Sequence, residues 1–100
     1  MDTANQASID NIVYAELDRI GEKFSSTHIG QNQIDNTMCQ LFTINVTRDL
    51  SRILKEQPNL SGIKVGDATS DADSVSCTVE LTYSWGSKHA ITATSVRKES

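Results

Sequence analysis

The sequence predicts an α+β fold in which two amphipathic helices cover one face of a three-stranded antiparallel sheet, in the order ααβββ. As far as Pro58, apolar residues recur every three or four positions, which is typical of helices. Beyond Pro58 they alternate with polar residues, which is typical of strands. The 100 residues have the usual size of one domain, and we assign residues 8–98 to it.

The first predicted helix follows a short N-terminal arm. Residues 1–7 have no apolar anchor beyond Met1, and we expect this arm to be flexible. Ser8 is a residue type that caps helices, and Asp10 would stabilise the helix dipole in the first turn. The hydroxyl residues at 25–27 predict the end of the helix. Its apolar stripe consists of Ile9, Ile12, Val13, Leu17, Ile20 and Phe24.

Gly30 marks a break, and a second helix is predicted from about Gln31 to Glu56. Residues 41–47 leave an alternative open, because four of these seven are β-branched and they could form a strand. The helical periodicity continues on both sides and favours the helix, which ends before Pro58. The stripe consists of Ile34, Met38, Phe42, Val46, Leu50 and Ile53, and is broadened by Leu41 and Leu54.

Three strands are predicted after Pro58. The first covers residues 60–65, and an acidic loop follows at residues 67–73. The clearest strand covers residues 75–85, because apolar and polar residues alternate there without interruption. A third strand returns through residues 88–97. One face of this sheet is apolar, and the two helices would cover it.

The turn before the last strand has an open register. Gly86 and Ser87 predict a tight turn. A turn of two residues would place Tyr83 opposite Ala90, whereas a turn of three would place it opposite Ile91. A shift by one residue exchanges the two faces of a strand, so the sequence leaves this choice open.

Composition and charge argue against several classes of partner. The net charge is −4, which disfavours approach to nucleic acid and to anionic lipid. Arg48, Arg52 and Lys55 form the only local basic group, and the dipole at a helix C-terminus explains them. No apolar run approaches the ~20 residues that span a bilayer, and the start of the chain lacks the layout of an export signal. We therefore expect a soluble, cytoplasmic protein that binds neither membrane nor nucleic acid directly.

Metal-ligating and nucleophilic side chains are present but widely spaced. The zinc-type ligands are His28, Cys39, Cys77 and His89, and none of them form the short knuckle of a structural zinc site. Both cysteines fall at predicted core positions, and neither lies in a motif that would activate a thiol nucleophile. Acidic residues alternate in the loop as in a calcium site, but Ala72 and Thr78 stand where glycine and glutamate are required. We predict no metal, no cofactor and no enzymatic activity.

The remaining features favour a small acidic protein-binding module. Such a module would occlude the surface of a partner protein, as an inhibitor, an immunity protein or an anti-defence protein does. The predicted contacts are Asp67, Asp71 and Asp73 in the acidic loop, with Trp85 and Lys88 at the hairpin, and the partner would have a basic surface. Alternation places Trp85 on the core side of its strand, which leaves core and interface roles open for it.

A self-assembling structural component is the alternative function, as a virion or accessory-complex subunit or a homodimer. The core is thin, with 5% aromatic residues, and the second helix has a stripe broad enough to serve both the sheet and another subunit. A small thiol- or metal-dependent enzyme is the weakest of the three hypotheses.

Overall fold

A computed structural model describes residues 3–98 and confirms the α+β class, with two helices that precede an antiparallel sheet and pack on it. Helix α1 spans Thr3–Phe24 and continues into a π-helical segment at Ser25–Ile29, and helix α2 spans Asn36–Glu56. The strands are β1 (Leu60–Val65), β2 (Thr69–Ser70), β3 (Ser74–Tyr83) and β4 (Lys88–Val96). The sheet has four strands instead of the predicted three, because the acidic loop contains β2.

The start of α1 differs from the prediction. The helix already includes residues 3–7, which were predicted to be a flexible arm, and residues 1 and 2 of that arm lie outside the described residues. Alanine and glutamine in this stretch are good helix formers, and extending an existing helix does not require burial. Ser8 therefore lies exposed within the helix and is not its cap.

Helix α2 begins five residues later than predicted, at Asn36. The carboxylate of Asp35 accepts a hydrogen bond of 3.0 Å from the Met38 backbone N–H, and this fixes the start of the helix. Residues 41–47 are helical, so the strand alternative for them is wrong. The periodic burial of Phe42 and Val46 outweighs the β-propensity of the segment.

Strand β3 forms the centre of the sheet. It pairs with β4 along one edge, and along the other edge it pairs with β1 and β2 in succession. The Tyr83 N–H donates to the Ser87 carbonyl at 2.9 Å, so both registers considered for Tyr83 are wrong. Strand β3 ends at Tyr83, which places Trp85 in the turn and not in the strand.

The predicted apolar face of the sheet is confirmed. The buried inner residues of β3 are Val75, Cys77, Val79, Leu81 and Tyr83, and they face the helices together with Ile91 and Ala93 of β4. Two predicted stripe residues depart from this pattern, since Ile12 is 41% and Leu41 is 37% exposed. Each lies about 100° around its helix from the middle of the buried stripe. This angle turns its side chain out of the core.

Helix α1 approaches β4 closely enough for their backbones to meet. The buried Ser95 hydroxyl donates to the Gly21 carbonyl at 2.7 Å, and the Ser25 hydroxyl donates to the Val96 carbonyl at 2.6 Å. A Cβ atom built on Gly21 would overlap the Thr94 carbonyl oxygen. The absence of a side chain at Gly21 is therefore what allows this packing.

A buried tyrosine links α1 to the sheet, and its hydroxyl should contribute measurably to stability. Tyr83 is 1% exposed, and its hydroxyl donates to the Asp10 carboxylate. Burial raises the pKa of the Tyr83 hydroxyl most, and the hydrogen bond to the charged Asp10 raises it further. We expect Tyr83→Phe to lower the free energy of unfolding by about 1.5 kcal/mol in urea denaturation, because a hydrogen bond to a charged group is lost.

Tyr14→Phe is the matched control for this prediction. Tyr14 is 44% exposed, and its hydroxyl lies 3.2 Å from His89 Nε2 at the surface. We expect a change within about 0.5 kcal/mol for this variant. Equal losses from the two variants would show that the contact between Tyr83 and Asp10 contributes nothing beyond a surface hydrogen bond.

Candidate docking groove between the two helices

The five predicted partner contacts fall in two separate places. Asp67, Asp71 and Asp73 precede β3, whereas Trp85 and Lys88 follow its other end. A strand of ten residues spans about 33 Å, so Asp71 and Asp73 lie at the opposite end of the sheet from the hairpin, whereas Asp67 lies between β1 and β2 beside the middle of β3. The structure does not bring these two groups into one compact patch.

Within the acidic loop, Asp71 acts as a turn former. Its carboxylate oxygen accepts hydrogen bonds from the Asp73 and Ser74 backbone N–H groups, both at 2.8 Å, and from the Ser74 hydroxyl at 3.0 Å. These hydrogen bonds, led by that of Asp73, lower the pKa of the Asp71 carboxyl. Asp73 lies 3.4 Å from Arg97 Nε, and Asp67 is exposed. Two of the three acidic side chains thus make contacts within the chain.

The turn at Asp71 should loosen in acid. A carboxyl with a lowered pKa in the folded state stabilises the fold fully above its unfolded pKa, about 3.9, and less as the pH falls through the lowered value. We expect amide hydrogen exchange at Asp73 and Ser74 to accelerate between pH 5 and pH 2.5, after correction for the intrinsic rate. In Asp71→Ala, the corrected exchange of these two amides should be fast at both pH values. Asp71→Asn should retain most of the protection because an amide oxygen can form the same turn. Unchanged protection in Asp71→Ala would contradict this role.

At the hairpin, Trp85 is half-buried and packs against the core. Its ring stacks on that of Tyr83, with centroids 5.1 Å apart and planes 3° from parallel. The indole Nε1 is buried and has no hydrogen-bond partner among residues 3–98. Lys88 is exposed, with Nζ 3.9 Å from a Glu80 carboxylate oxygen. The stacking accounts for Trp85 as a structural residue, and Lys88 remains available at the surface.

A groove that sequence analysis did not anticipate lies between α1 and α2. Its volume is about 400 Å³, within the range of ligand-binding clefts. Ile20 and Phe24 line it from α1, and Leu41 and Ile44 line it from α2. Leu41 is 37% and Ile44 is 58% exposed, so the wall from α2 presents apolar surface to solvent.

The π-helical segment shapes one end of this groove. The hydroxyl of Ser26 donates to the Glu22 carbonyl at 3.0 Å, and that of Thr27 donates to the Lys23 carbonyl at 2.7 Å. Such bonds satisfy carbonyl groups that a widened turn leaves open. The α-helix ends at Phe24, directly before the hydroxyl residues at 25–27 that predicted its end, but the chain continues as a π-helix until Ile29, which is fully buried.

The π-helical segment also sets His28 against the groove. Its ring stacks on Phe24, with centroids 4.6 Å apart and planes 14° from parallel. Gly30 follows with φ +44°, a conformation that favours glycine, and the π-helical segment ends there before the chain continues to α2. Short π-helical turns occur frequently at functional sites, and this one supplies Thr27 and His28 to the lining.

The rim of the groove is cationic although the chain is acidic. Lys23 lies on the α1 side and Arg48 on the α2 side. Asp49, the one acidic lining residue, lies 3.3 Å from both Arg19 and Arg48. Lys23 has no carboxylate within 4.0 Å among residues 3–98. The groove therefore offers apolar surface next to a cation that is free to pair.

A second depression adjoins the groove and contains one of the predicted contact residues. Ile44 lines both, and the second is also lined by Cys39, Thr43 and Asp67. Asp67 is thus the predicted contact residue that shares a surface with Ile44. One feature of the sequence could have indicated this surface. Ile44 is an apolar residue on the polar side of the predicted second helix.

The thiols and imidazoles do not assemble into a metal site. Within residues 3–98, no three side chains of histidine, cysteine, aspartate or glutamate lie where they could hold one ion. Cys39 and Cys77 are buried and unpaired, as predicted for core thiols, and burial raises the pKa of Cys77 to about 11. Neither helix combines the length and the apolar composition needed to cross a bilayer, in the part of the chain that is described.

Comparisons with protein-family models, with curated proteins and with solved structures found no match to this chain. The geometry of the groove is therefore the observation from which a function is argued.

Proposed function

We propose that the chain is a non-enzymatic protein-binding module that docks a partner protein through the groove between α1 and α2. The exposure of Ile44, 58%, beside a concave surface is the observation that supports this most strongly. Exposed apolar side chains around a concavity with a polar rim are typical of protein interaction sites. The module would act by occluding the partner's surface, as an inhibitor, immunity protein or anti-defence protein does.

The sequence-based contact residues fit this proposal unequally. Asp67 shares a depression with Ile44 and would lie at the edge of the docked surface. Asp71 and Asp73 are engaged in the loop, and Trp85 and Lys88 lie at the far end of β3. A role for the last four would need a partner large enough to extend along the sheet.

Self-assembly is the second candidate function, because the same exposed side chains could meet those of another copy. Leu41 and Ile44 offer apolar surface that a second copy would bury. The oligomeric state separates the two candidates. A dimer that Ile44→Asp converts to a monomer would favour self-assembly.

Photo-crosslinking tests the proposed docking surface in cells that produce the protein. A benzoylphenylalanine placed at position 44 keeps the site apolar, and one placed at position 96 is the matched control. Val96 is 56% exposed, close to Ile44, but it lies on β4 and outside the groove. We expect one discrete crosslinked species larger than two copies of the chain from position 44 and none from position 96. Equal crosslinking from both positions, or none from position 44, would contradict the proposal.

A further inference from the structure

We infer that the occupant of the groove is an amphipathic helix of a partner protein, with acidic side chains on both flanks of its apolar face. This inference rests on the proposed function, and it replaces the basic partner surface expected from the acidic loop with an acidic one, because Lys23 and Arg48 flank the groove. Three properties of the groove support it, namely its shape, the spacing of its apolar residues and the placement of its charges.

The shape of the groove suits a helix. Helices α1 and α2 run antiparallel, since Glu16 pairs with Arg52 at 3.3 Å whereas Phe24 meets Phe42 edge-on at 5.1 Å. Two antiparallel helices that pack side by side leave a furrow between them along their outer surface. A third helix can lie in such a furrow, with its axis about 8–10 Å from each of them.

The apolar wall has the spacing that a helix presents and recognises. Leu41 and Ile44 are three positions apart on α2, so they lie side by side on the same side of the helix. Phe24 and Ile20, four positions apart on α1, are buried at 2% and 4% exposure and form the apolar floor beside this wall. The apolar side chains at i, i+3, i+4 and i+7 of an incoming helix would pack against Leu41 and Ile44 and cover this floor.

The charges on the two rims select acidic flanks. Lys23 and Arg48 lie on opposite helices, so each would face one flank of a helix in the groove. Asp49 already pairs with Arg19 and Arg48. Lys23 has no carboxylate partner within 4.0 Å among residues 3–98. Carboxylates on the occupant would pair with Lys23 and reinforce the network at Arg48, whereas a basic helix would meet like charge on both sides.

Three synthetic peptides of about four helical turns test this inference. All have leucine at i, i+3, i+4 and i+7, one with glutamate on both flanks and one with lysine, and the third is a scramble of the first. We expect the glutamate peptide to bind at least about tenfold more tightly than the lysine peptide in fluorescence anisotropy. Lys23→Glu should weaken the glutamate peptide and strengthen the lysine peptide, Ile44→Asp should abolish binding of both, and Val96→Asp should change neither.

Several results would overturn the inference. These are equal binding of the glutamate and lysine peptides, equal binding of the scrambled peptide, and the absence of any binding. Light scattering that shows a dimer dissociated by Ile44→Asp would also overturn it, because the occupant would then be a second copy. A crosslink at position 44 without peptide binding would contradict this inference alone. Peptide binding without that crosslink would contradict the proposed function.

Discussion

Replacing Gly21 with alanine is expected to destabilise the fold by about 3 kcal/mol, more than any single surface change considered above. The new Cβ would overlap the Thr94 carbonyl oxygen, which belongs to the strand backbone and has little freedom to move. Separating α1 from β4 would relieve the overlap, but it would also break the buried hydrogen bond from Ser95 to the Gly21 carbonyl. The gain of about 1 kcal/mol in helix propensity offsets only part of this loss.

Thermal and urea denaturation measure this effect. We expect the melting temperature to fall by about 12 °C or more for a domain of this size. Gly62→Ala is the control, because a Cβ there would lie at an ordinary 3.7 Å from the Thr82 Cβ. It should leave stability within about 0.5 kcal/mol. A Gly21→Ala variant as stable as the wild type would show that α1 does not lie so close to β4.

Replacing Ile44 with aspartate is expected to weaken partner binding by about 100-fold or more while the fold persists. Ile44 is 58% exposed and lies within α2, so an aspartate would be solvated in the free protein. In the complex the same carboxylate would be desolvated against apolar surface, and it would compete with the acidic side chains of the partner for Arg48, four positions further along α2. The penalty therefore falls on binding and not on folding.

The two sides of this prediction are measured separately. Circular dichroism and urea denaturation should place Ile44→Asp within about 1 kcal/mol of the wild type. Titration calorimetry with the partner identified by crosslinking reports the affinity. Val96→Asp replaces a side chain of similar exposure, 56%, outside the groove and should bind as the wild type does. Loss of binding in Val96→Asp alone would move the docking surface to the depression between α1 and β4 that Val96 lines.

The parts of the fold that depend on local periodicity could be predicted from the sequence. The alternation in β3 and the stripe in α2 each identify buried residues directly, because burial recurs with the period of the element. The bounds of β1, Leu60–Val65, agree with the prediction for the same reason. Four β-branched residues within residues 41–47 did not change the outcome, because helical burial continues on both sides of them.

The features that the sequence did not reveal depend on contacts between distant residues. The π-helical segment continues because Ile29 is drawn into the core, and the hairpin turns at residues 84–86 because β3 ends at Tyr83. Strand β2 exists only by pairing with β3, since its two residues have no pattern of their own. Gly86 indicates that a turn occurs, but the residue at which β3 ends, the π-helical segment and β2 have no local signal.

The sequence did not predict the candidate site, although it predicted much of the fold. A groove depends on the relative placement of α1 and α2, which no local pattern specifies. The acidic loop was conspicuous in sequence because acidic residues cluster there, yet Asp71 and Asp73 contact the loop and Arg97. Ile44 was the informative residue, because an apolar side chain opposite the buried stripe has no structural role within α2.

Chemical-shift mapping tests the central claim most directly. The partner identified by crosslinking is titrated into 15N-labelled protein, and the backbone amide shifts are followed residue by residue. We expect the largest shifts at residues 20–29 and 41–48, which line the groove between α1 and α2. Largest shifts at residues 71–73 and 84–88, at the two ends of β3, would contradict the account and favour the acidic loop and the hairpin as the docking surface.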